Sequence, residues 1–90
     1  MRIEPFVLGP NEYLLEQGQT VAVNGYDVKL SDVRFDESTV LGYAYMYSPE
    51  EMMSVVRILE GKTEDVGNAT VTVLEAFYRY QPYAHVKIVV

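Results

Sequence analysis

Asn24 and Gly25 separate two short runs in which β-branched apolar residues alternate with other side chains. The runs cover residues 20–23 and 26–30. Asparagine and glycine most readily take the positive φ angles of a type I′ turn, the turn that joins two antiparallel strands in register. The sequence therefore predicts a β-hairpin here, and a fold built on antiparallel strands.

A second hairpin is predicted at residues 66–69, where Gly67-Asn68 precedes an alternation of threonine and valine. Further strands are expected between turn signals such as Gly9-Pro10 and Gln81-Pro82. They cover residues 3–8, 12–16, 40–47 and 85–90. Because 90 residues provide for one core, we expect residues 1–90 to form a single domain. The fold class is mainly β, a small β-sandwich or barrel.

Residues 49–60 carry the signals of one short helix. Ser48-Pro49-Glu50-Glu51 places serine at the cap, proline at the first helical position and glutamate at the third. One helical stripe then follows, made of Met52, Val55, Val56 and Leu59. The alternative is a strand, because residues 54–59 are rich in β-branched side chains.

Two similar halves, residues 18–47 and 61–90, are related by a shift of 43 positions. The shift places Gly18-Gln19-Thr20 on Gly61-Lys62-Thr63, and the Asn24-Gly25 turn on Gly67-Asn68. In both halves the apolar alternation changes face at the same offset, after Leu30 and after Val73, which indicates a shared β-bulge. Identity between the halves is low, so an internal duplication is a hypothesis that rests on the pattern.

The segment Leu41-Gly42-Tyr43-Ala44-Tyr45-Met46-Tyr47 alternates three tyrosines with small or flexible residues. In a strand, the tyrosines form one face and the other residues the opposite face. The shift of 43 places the tyrosines on Val86, Ile88 and Val90, the expected interior of the last strand. We therefore predict that the tyrosine row is buried. The alternative, an exposed row, would be a recognition surface.

The phrase Leu15-Glu16-Gln17-Gly18-Gln19-Thr20, followed after three residues by Asn24 to Val33, resembles the repeated β-sandwich modules of archaeal S-layer and related cell-surface proteins. Ile58-Leu59-Glu60-Gly61-Lys62-Thr63, followed by residues 68–75, looks like a second copy. The resemblance covers about half of the chain. It implies a structural module that assembles with its neighbours and has no catalytic residues. The predicted helix and the lack of a signal peptide depart from this pattern.

The formal net charge of −6, from 7 basic and 13 acidic side chains, opposes binding to phosphates and to anionic lipids. Without cysteine, the chain has no disulfide, thiolate metal site or cysteine nucleophile. Residues 1–6 lack the apolar core of a signal peptide, and no apolar run reaches membrane-spanning length. We expect no direct nucleic-acid binding, no membrane insertion and, by default, an intracellular location.

No group of residues predicts a catalytic site, so we expect a non-catalytic protein without cofactor or metal. His85, the single histidine, is expected at an outward strand position. Asp32, Asp36 and Glu37 offer oxygen ligands to a cation, but their spacing matches no EF-hand. A solvated acidic loop is the favoured interpretation. Glycine-rich phosphate-binding motifs are absent from the sequence.

Residues 77–83 are the densest aromatic segment, and tyrosine with arginine is typical of interface hot spots. The predicted protein-contact residues are Tyr78, Arg79, Tyr80, Tyr83 and Val89. Val89 belongs to the last strand, where Lys87 is the only fixed charge. Such a strand either pairs centrally in a sheet or meets a partner chain edge to edge.

The favoured function is a structural or protein-interaction module, as found in a cell-surface or virion assembly, with a protein partner or self-association through an edge strand. The alternative is a small acidic inhibitor that mimics nucleic acid on a nucleic-acid-binding enzyme. Clustering of six acids on one face would favour mimicry, and scattering would favour the module. These acids are Asp27, Asp32, Asp36, Glu37, Glu64 and Asp65.

Overall fold

The computed structural model describes residues 8–51 and 55–90, which form two antiparallel four-stranded sheets. The strands are β1 (Glu12–Glu16), β2 (Thr20–Val23), β3 (Tyr26–Asp36), β4 (Leu41–Tyr47), β5 (Val56–Leu59), β6 (Thr63–Val66), β7 (Ala69–Phe77) and β8 (Tyr83–Val89). Sheet A has the order β1-β8-β7-β6, and sheet B has the order β2-β3-β4-β5. The predicted mainly β sandwich is confirmed, whereas a closed barrel is not formed.

Both predicted hairpins form. Asn24 and Gly25 have φ angles of 51° and 80°, as a type I′ turn requires. In the second hairpin Val66 pairs with Ala69, and Gly67 has a φ of 62°. The two turns set the register of β2 on β3 and of β6 on β7, which directs the valines of both hairpins toward one interior.

The predicted β-bulges are present in the long strands β3 and β7. The register shifts between Leu30 and Asp32 in β3, and between Val73 and Glu75 in β7. One extra residue moves the following side chains to the opposite face. The bulges therefore allow Val33 to be buried beyond the first, and Ala76 beyond the second.

The strand that precedes each predicted half, β1 or β5, pairs at the edge of the sheet formed by the other half. β1 pairs with β8 in sheet A before the chain crosses to β2 in sheet B, and β5 pairs with β4 in sheet B before the chain crosses to β6. The N–H of Gln17 donates to the Pro82 carbonyl at 3.0 Å, and that of Glu60 donates to the Gly42 carbonyl at 3.0 Å. The two crossings thus have matching contacts. The internal duplication stays a prediction.

At each crossing a side chain, Gln17 or Glu60, accepts a hydrogen bond from a backbone N–H group just after a bulge. Gln17 Oε1 accepts from the Val33 N–H at 3.1 Å. The Glu60 carboxylate accepts from the Ala76 N–H at 3.2 Å and from the Gly42 N–H at 3.1 Å. Since Ala76 lies in sheet A and Gly42 in sheet B, Glu60 joins the two sheets.

Replacing Glu60 by alanine should lower the free energy of unfolding by about 2 kcal/mol, because two part-buried N–H groups lose their acceptor. Glu60→Gln should cost less, since the amide oxygen still accepts one of these bonds. Urea unfolding followed by circular dichroism measures both changes. Glu64→Ala, at an exposed position of β6, is the control and should change stability by less than about 0.5 kcal/mol. Equal effects at both positions would contradict the bridging role of Glu60.

The predicted helix over residues 49–60 was wrong in its described part. Ser48 Oγ accepts from the Glu50 N–H at 3.3 Å, as a capping serine would, but only a turn follows. Val56–Leu59 then forms β5 on β4, and the residue that it buries completely is Ile58, which lies outside the predicted helical stripe. Sheet pairing and β-branching therefore outweigh the local helix signals. Residues 52–54 lie outside the described residues, as does nearly all of the strand predicted at 3–8.

The tyrosine row of β4 faces outward, so its predicted burial was wrong. Gly42, Ala44 and Met46 are buried, and the three tyrosines between them are half-buried on the outer side of sheet B. The inward residues join the core from both sheets, which includes Ile58 from β5 and Ile88 from β8.

The error comes from the length of one connection. Val33 and Ala76 are 43 positions apart, whereas their cross-strand partners, Ala44 and Ala84, are 40 positions apart. The path from β7 to β8 is therefore three residues shorter than the path from β3 to β4. Because side chains alternate with a period of two, an odd difference exchanges the inner and outer faces of the strand.

Candidate functional site

The last strand, β8, lies inside sheet A between β1 and β7. Of its two predicted arrangements, the structure therefore has central pairing. Val89 pairs with Thr70 and is exposed, while Tyr83, at the other end of the strand, pairs with Phe77. Val89 is six residue steps along the strand from Tyr83, a distance of about 20 Å, so the two do not form one contact surface.

Tyr78 and Arg79 lie together beside the core. The Tyr78 ring packs on Phe35 with centroids 4.9 Å apart, and it is half-buried against the core. The Arg79 guanidinium lies 5.3 Å from the centroid of the Tyr78 ring, and its Nε donates to the Tyr78 hydroxyl at 3.1 Å. Much of the Tyr78 ring is therefore used in packing against the protein itself, while Arg79 is exposed above it.

Tyr80 and Tyr83 line a groove on sheet A, with a volume of about 990 Å³. Its lining residues are Leu14, Glu16, Gln19, Phe77, Tyr80, Gln81 and Tyr83. The rings of Phe77 and Tyr83 are stacked with centroids 5.2 Å apart, and the Tyr83 hydroxyl donates to Glu75 Oε1 at 3.2 Å. The groove thus brings together two of the five predicted contact residues, Tyr80 and Tyr83. The contribution of β1 to the groove was missed, because only strand pairing reveals it.

A second aromatic surface lies on the outer side of sheet B. We call it the tyrosine face, and it consists of Tyr43, Tyr45 and Tyr47 with the neighbouring cations Lys29, Arg34 and Arg57. The rings of Tyr43 and Tyr45 meet edge to face with centroids 5.4 Å apart. The Arg57 guanidinium lies 5.1 Å from the Tyr43 centroid, and Lys29 Nζ lies 6.0 Å from the Tyr47 centroid. Cations at these distances are attracted to the ring faces.

Charges on the tyrosine face are balanced by nearby acids. Arg34 Nε donates to Asp32 Oδ2 at 2.6 Å, and this bond raises the pKa of the guanidinium. Hydrogen bonds from the Ser38 hydroxyl and N–H lower the pKa of Asp36, and the positive charge of Arg57 lowers it further. Burial raises the pKa of Tyr43, so its phenol stays neutral at physiological pH. The arrangement offers rings, hydroxyls and guanidinium groups, and the positive charges of Arg34 and Arg57 are each offset by a nearby acid.

A recurring dipeptide signals the tyrosine face in the sequence. Tyr43-Ala44 recurs as Tyr83-Ala84, at a separation of 40 positions and not 43. Alignment on this pair places Tyr45 on His85, which lies on the outer side of its sheet. The ungapped shift of 43 concealed that match.

Two further polar candidates, His85 and Asp36, have protein partners. His85 Nε2 lies 2.7 Å from Glu12 Oε1. The Gly9 N–H and then His85 lower the pKa of that carboxyl group. Asp36 Oδ1 accepts from the Ser38 N–H and hydroxyl at 3.0 and 2.8 Å. Across residues 8–51 and 55–90, no group of three or more histidine, aspartate or glutamate side chains is arranged to hold a metal ion.

Comparison of the chain with protein-family models, curated proteins and solved structures finds no match. Within the described residues, no helix is long and apolar enough to cross a membrane. The assignment of function therefore rests on the surfaces of the two sheets.

Proposed function

We propose that this chain is a non-catalytic protein-interaction module, and that the tyrosine face of sheet B contacts the partner protein. The observation that carries the proposal is the row of three half-buried tyrosines beside Arg34 and Arg57. Tyrosine and arginine are the side chains that, with tryptophan, contribute most at protein interfaces. A tyrosine combines a large rigid ring with a hydroxyl that bonds to polar groups of a partner.

The side chains of this face are already held in place by one another. The edge-to-face contact restrains Tyr43 and Tyr45, and the Arg57 guanidinium lies over the Tyr43 ring. Ordering flexible side chains is one of the costs of association, so a surface ordered beforehand binds more tightly. This supports a role in recognition for a row that is not needed to fill the core.

The resemblance to repeated cell-surface modules suggests that the partner is a neighbouring module in an assembly of the cell-surface or virion type. Sheet B offers two edge strands beside the tyrosine face, β2 and β5, to which a partner chain is able to add a strand. In sheet A, both edge strands carry acids that disfavour strand addition, Glu64 and Asp65 on β6 and Glu12 and Glu16 on β1. The edge of sheet B is therefore the one at which we propose assembly.

The distribution of the acidic residues supports mimicry of nucleic acid less well than it supports an interaction module. Four of the six candidates lie on or next to β3 in sheet B, whereas Glu64 and Asp65 lie on β6 in sheet A. Asp32 is also paired with Arg34, so its charge is largely offset. An inhibitor of a nucleic-acid-binding enzyme needs a continuous array of unpaired carboxylates, and this divided set favours the interaction module.

Capture of a partner from the source organism by the tagged chain tests the proposal. We expect Tyr45→Ser and Arg57→Ser each to weaken binding of the captured protein by at least tenfold, about 1.4 kcal/mol, as interface hot spots do. The purified partner and each variant are then compared by isothermal titration calorimetry. Both substitutions lie on the outer side of sheet B, so thermal unfolding should remain cooperative.

Leu74→Ser is the matched control, because Leu74 is an exposed apolar residue on β7 of the other sheet. It should leave the affinity unchanged. Full binding by both tyrosine-face variants would refute the proposed surface. Displacement of the partner by a DNA or RNA oligonucleotide would instead support mimicry.

A further inference from the structure

We infer that the groove on sheet A binds the arginine side chain of a basic peptide segment. The groove presents three aromatic rings, those of Phe77, Tyr80 and Tyr83, together with the carboxylate of Glu16. Among the described residues, its lining includes no lysine, arginine or histidine. This site lies on the opposite sheet from the tyrosine face, so it is a second recognition site that does not depend on the first.

The chemistry of the lining selects a flat cation. A guanidinium group stacks on aromatic faces, because the negative face of the ring attracts the delocalised charge. The Tyr83 hydroxyl donates to the Glu75 carboxylate, so a second negative charge lies next to the hydroxyl of that ring. The side-chain oxygens of Glu16 and Gln81 line the same groove and are able to accept bonds from the guanidinium N–H groups.

The charge of the whole chain favours the same ligand. With a net charge of −6, the molecule attracts basic segments from a distance and repels acidic ones. Lys87 lies on the same strand as Tyr83, but it pairs with Glu12 and Thr72, away from the groove. Charge complementarity therefore favours a basic peptide over an acidic one as the occupant.

Tyr80 provides an independent observation at the same place. Its side chain is 94% exposed, and its backbone has a φ of 55°, a region that bulky residues rarely occupy. The left-handed backbone costs free energy in the unbound protein, and the exposed ring makes little contribution to the core. A ligand that covers this ring would contact an aromatic surface that glycine, the residue that fits this backbone without strain, does not offer.

Titration of the isotope-labelled full chain with a blocked Gly-Arg-Gly peptide, followed by NMR, tests the inference. The signals of Phe77, Tyr80 and Tyr83 should shift and reach saturation, and binding should weaken as salt is added. The peptide with citrulline in place of arginine has the same shape without the charge. It should bind about tenfold more weakly.

Two variants separate binding from folding. Tyr80→Gly should lower the affinity for the arginine peptide by about tenfold, while the melting temperature stays the same or rises because the backbone strain is relieved. Glu16→Gln should lower the affinity by about threefold. Glu64→Gln is the charge-matched control on the far edge of sheet A, and it should bind normally.

Three results would overturn the inference: equal binding of the citrulline peptide, saturation of the same signals by a blocked proline-rich peptide instead, or no shift at the highest soluble concentration of the arginine peptide. Each of these results leaves the tyrosine face unaffected, because its test uses the partner protein and variants of sheet B.

Discussion

Alanine in place of Gly42 is expected to destabilise the fold by about 3 kcal/mol, on the scale of overpacked cores. A Cβ atom added at Gly42 would clash with the backbone carbonyl oxygen of Ala76, and would also lie 3.1 Å from the Ala76 Cβ. Gly42 lies in β4 and Ala76 in β7, so the clash would force the two sheets apart. Because a backbone atom is involved, no side-chain rotation relieves it. Chemical unfolding monitored by circular dichroism measures the loss.

Gly18→Ala is the control for this prediction. Gly18 has a φ of 91° and no neighbouring atom that an added Cβ would meet. Its replacement should cost only the strain of the left-handed conformation, about 1–2 kcal/mol. At Gly42 the added methyl group meets the backbone of the other sheet, whereas at Gly18 it meets no atom, so Gly42→Ala should be the more destabilising of the two substitutions. Equal or reversed effects would mean that the sheets are not closely packed at this point.

Truncation of Met46 to alanine should lower the free energy of unfolding by about 2–5 kcal/mol, as for other large buried side chains. Met46 is completely buried on the inner face of β4, where it packs among residues from both sheets. Loss of this side chain leaves a cavity that the two paired sheets have little freedom to fill. Urea unfolding at constant pH gives the change directly.

The neighbouring substitution Tyr45→Ser tests the orientation of the same strand. Tyr45 lies between Asp32 and Arg57 on the outer face, and it is half-buried. Its replacement should cost about 1 kcal/mol, the usual size of a mutational effect. A larger loss for Tyr45→Ser than for Met46→Ala would show that the tyrosines face the core and would remove the basis of the tyrosine face.

Local signals sufficed for the parts of this fold that depend on short-range geometry. Asn24-Gly25 and Gly67-Asn68 predict their hairpins because few residues accept positive φ angles. The bulges after Leu30 and Val73 are visible as changes of face in the apolar alternation. Each of these features is determined within about ten residues of chain.

The helix expected at residues 49–60 shows where such signals fail. Ser48 makes its capping hydrogen bond, yet residues 56–59 extend along β4, because Ile58 is buried there and the edge of sheet B gains paired backbone groups. The residues around Ser48 carry no signal that the backbone groups along one side of β4 are free to pair with residues 56–59. Tertiary pairing therefore decides the conformation of a segment whose intrinsic preferences are mixed.

The same division applies to the two candidate sites. The sequence by itself determined a mainly β chain with two hairpins and two bulges, and its assignment of Tyr80 and Tyr83 as contact residues stays a prediction. Only the tertiary structure decided that Tyr45 faces outward. The connection from β7 to β8 is three residues shorter than that from β3 to β4, and this odd difference places Tyr45 on the face opposite to the one predicted. The tertiary structure also decided that Glu16 from β1 joins Tyr83 in one groove, because these residues become neighbours only when the first and last strands pair.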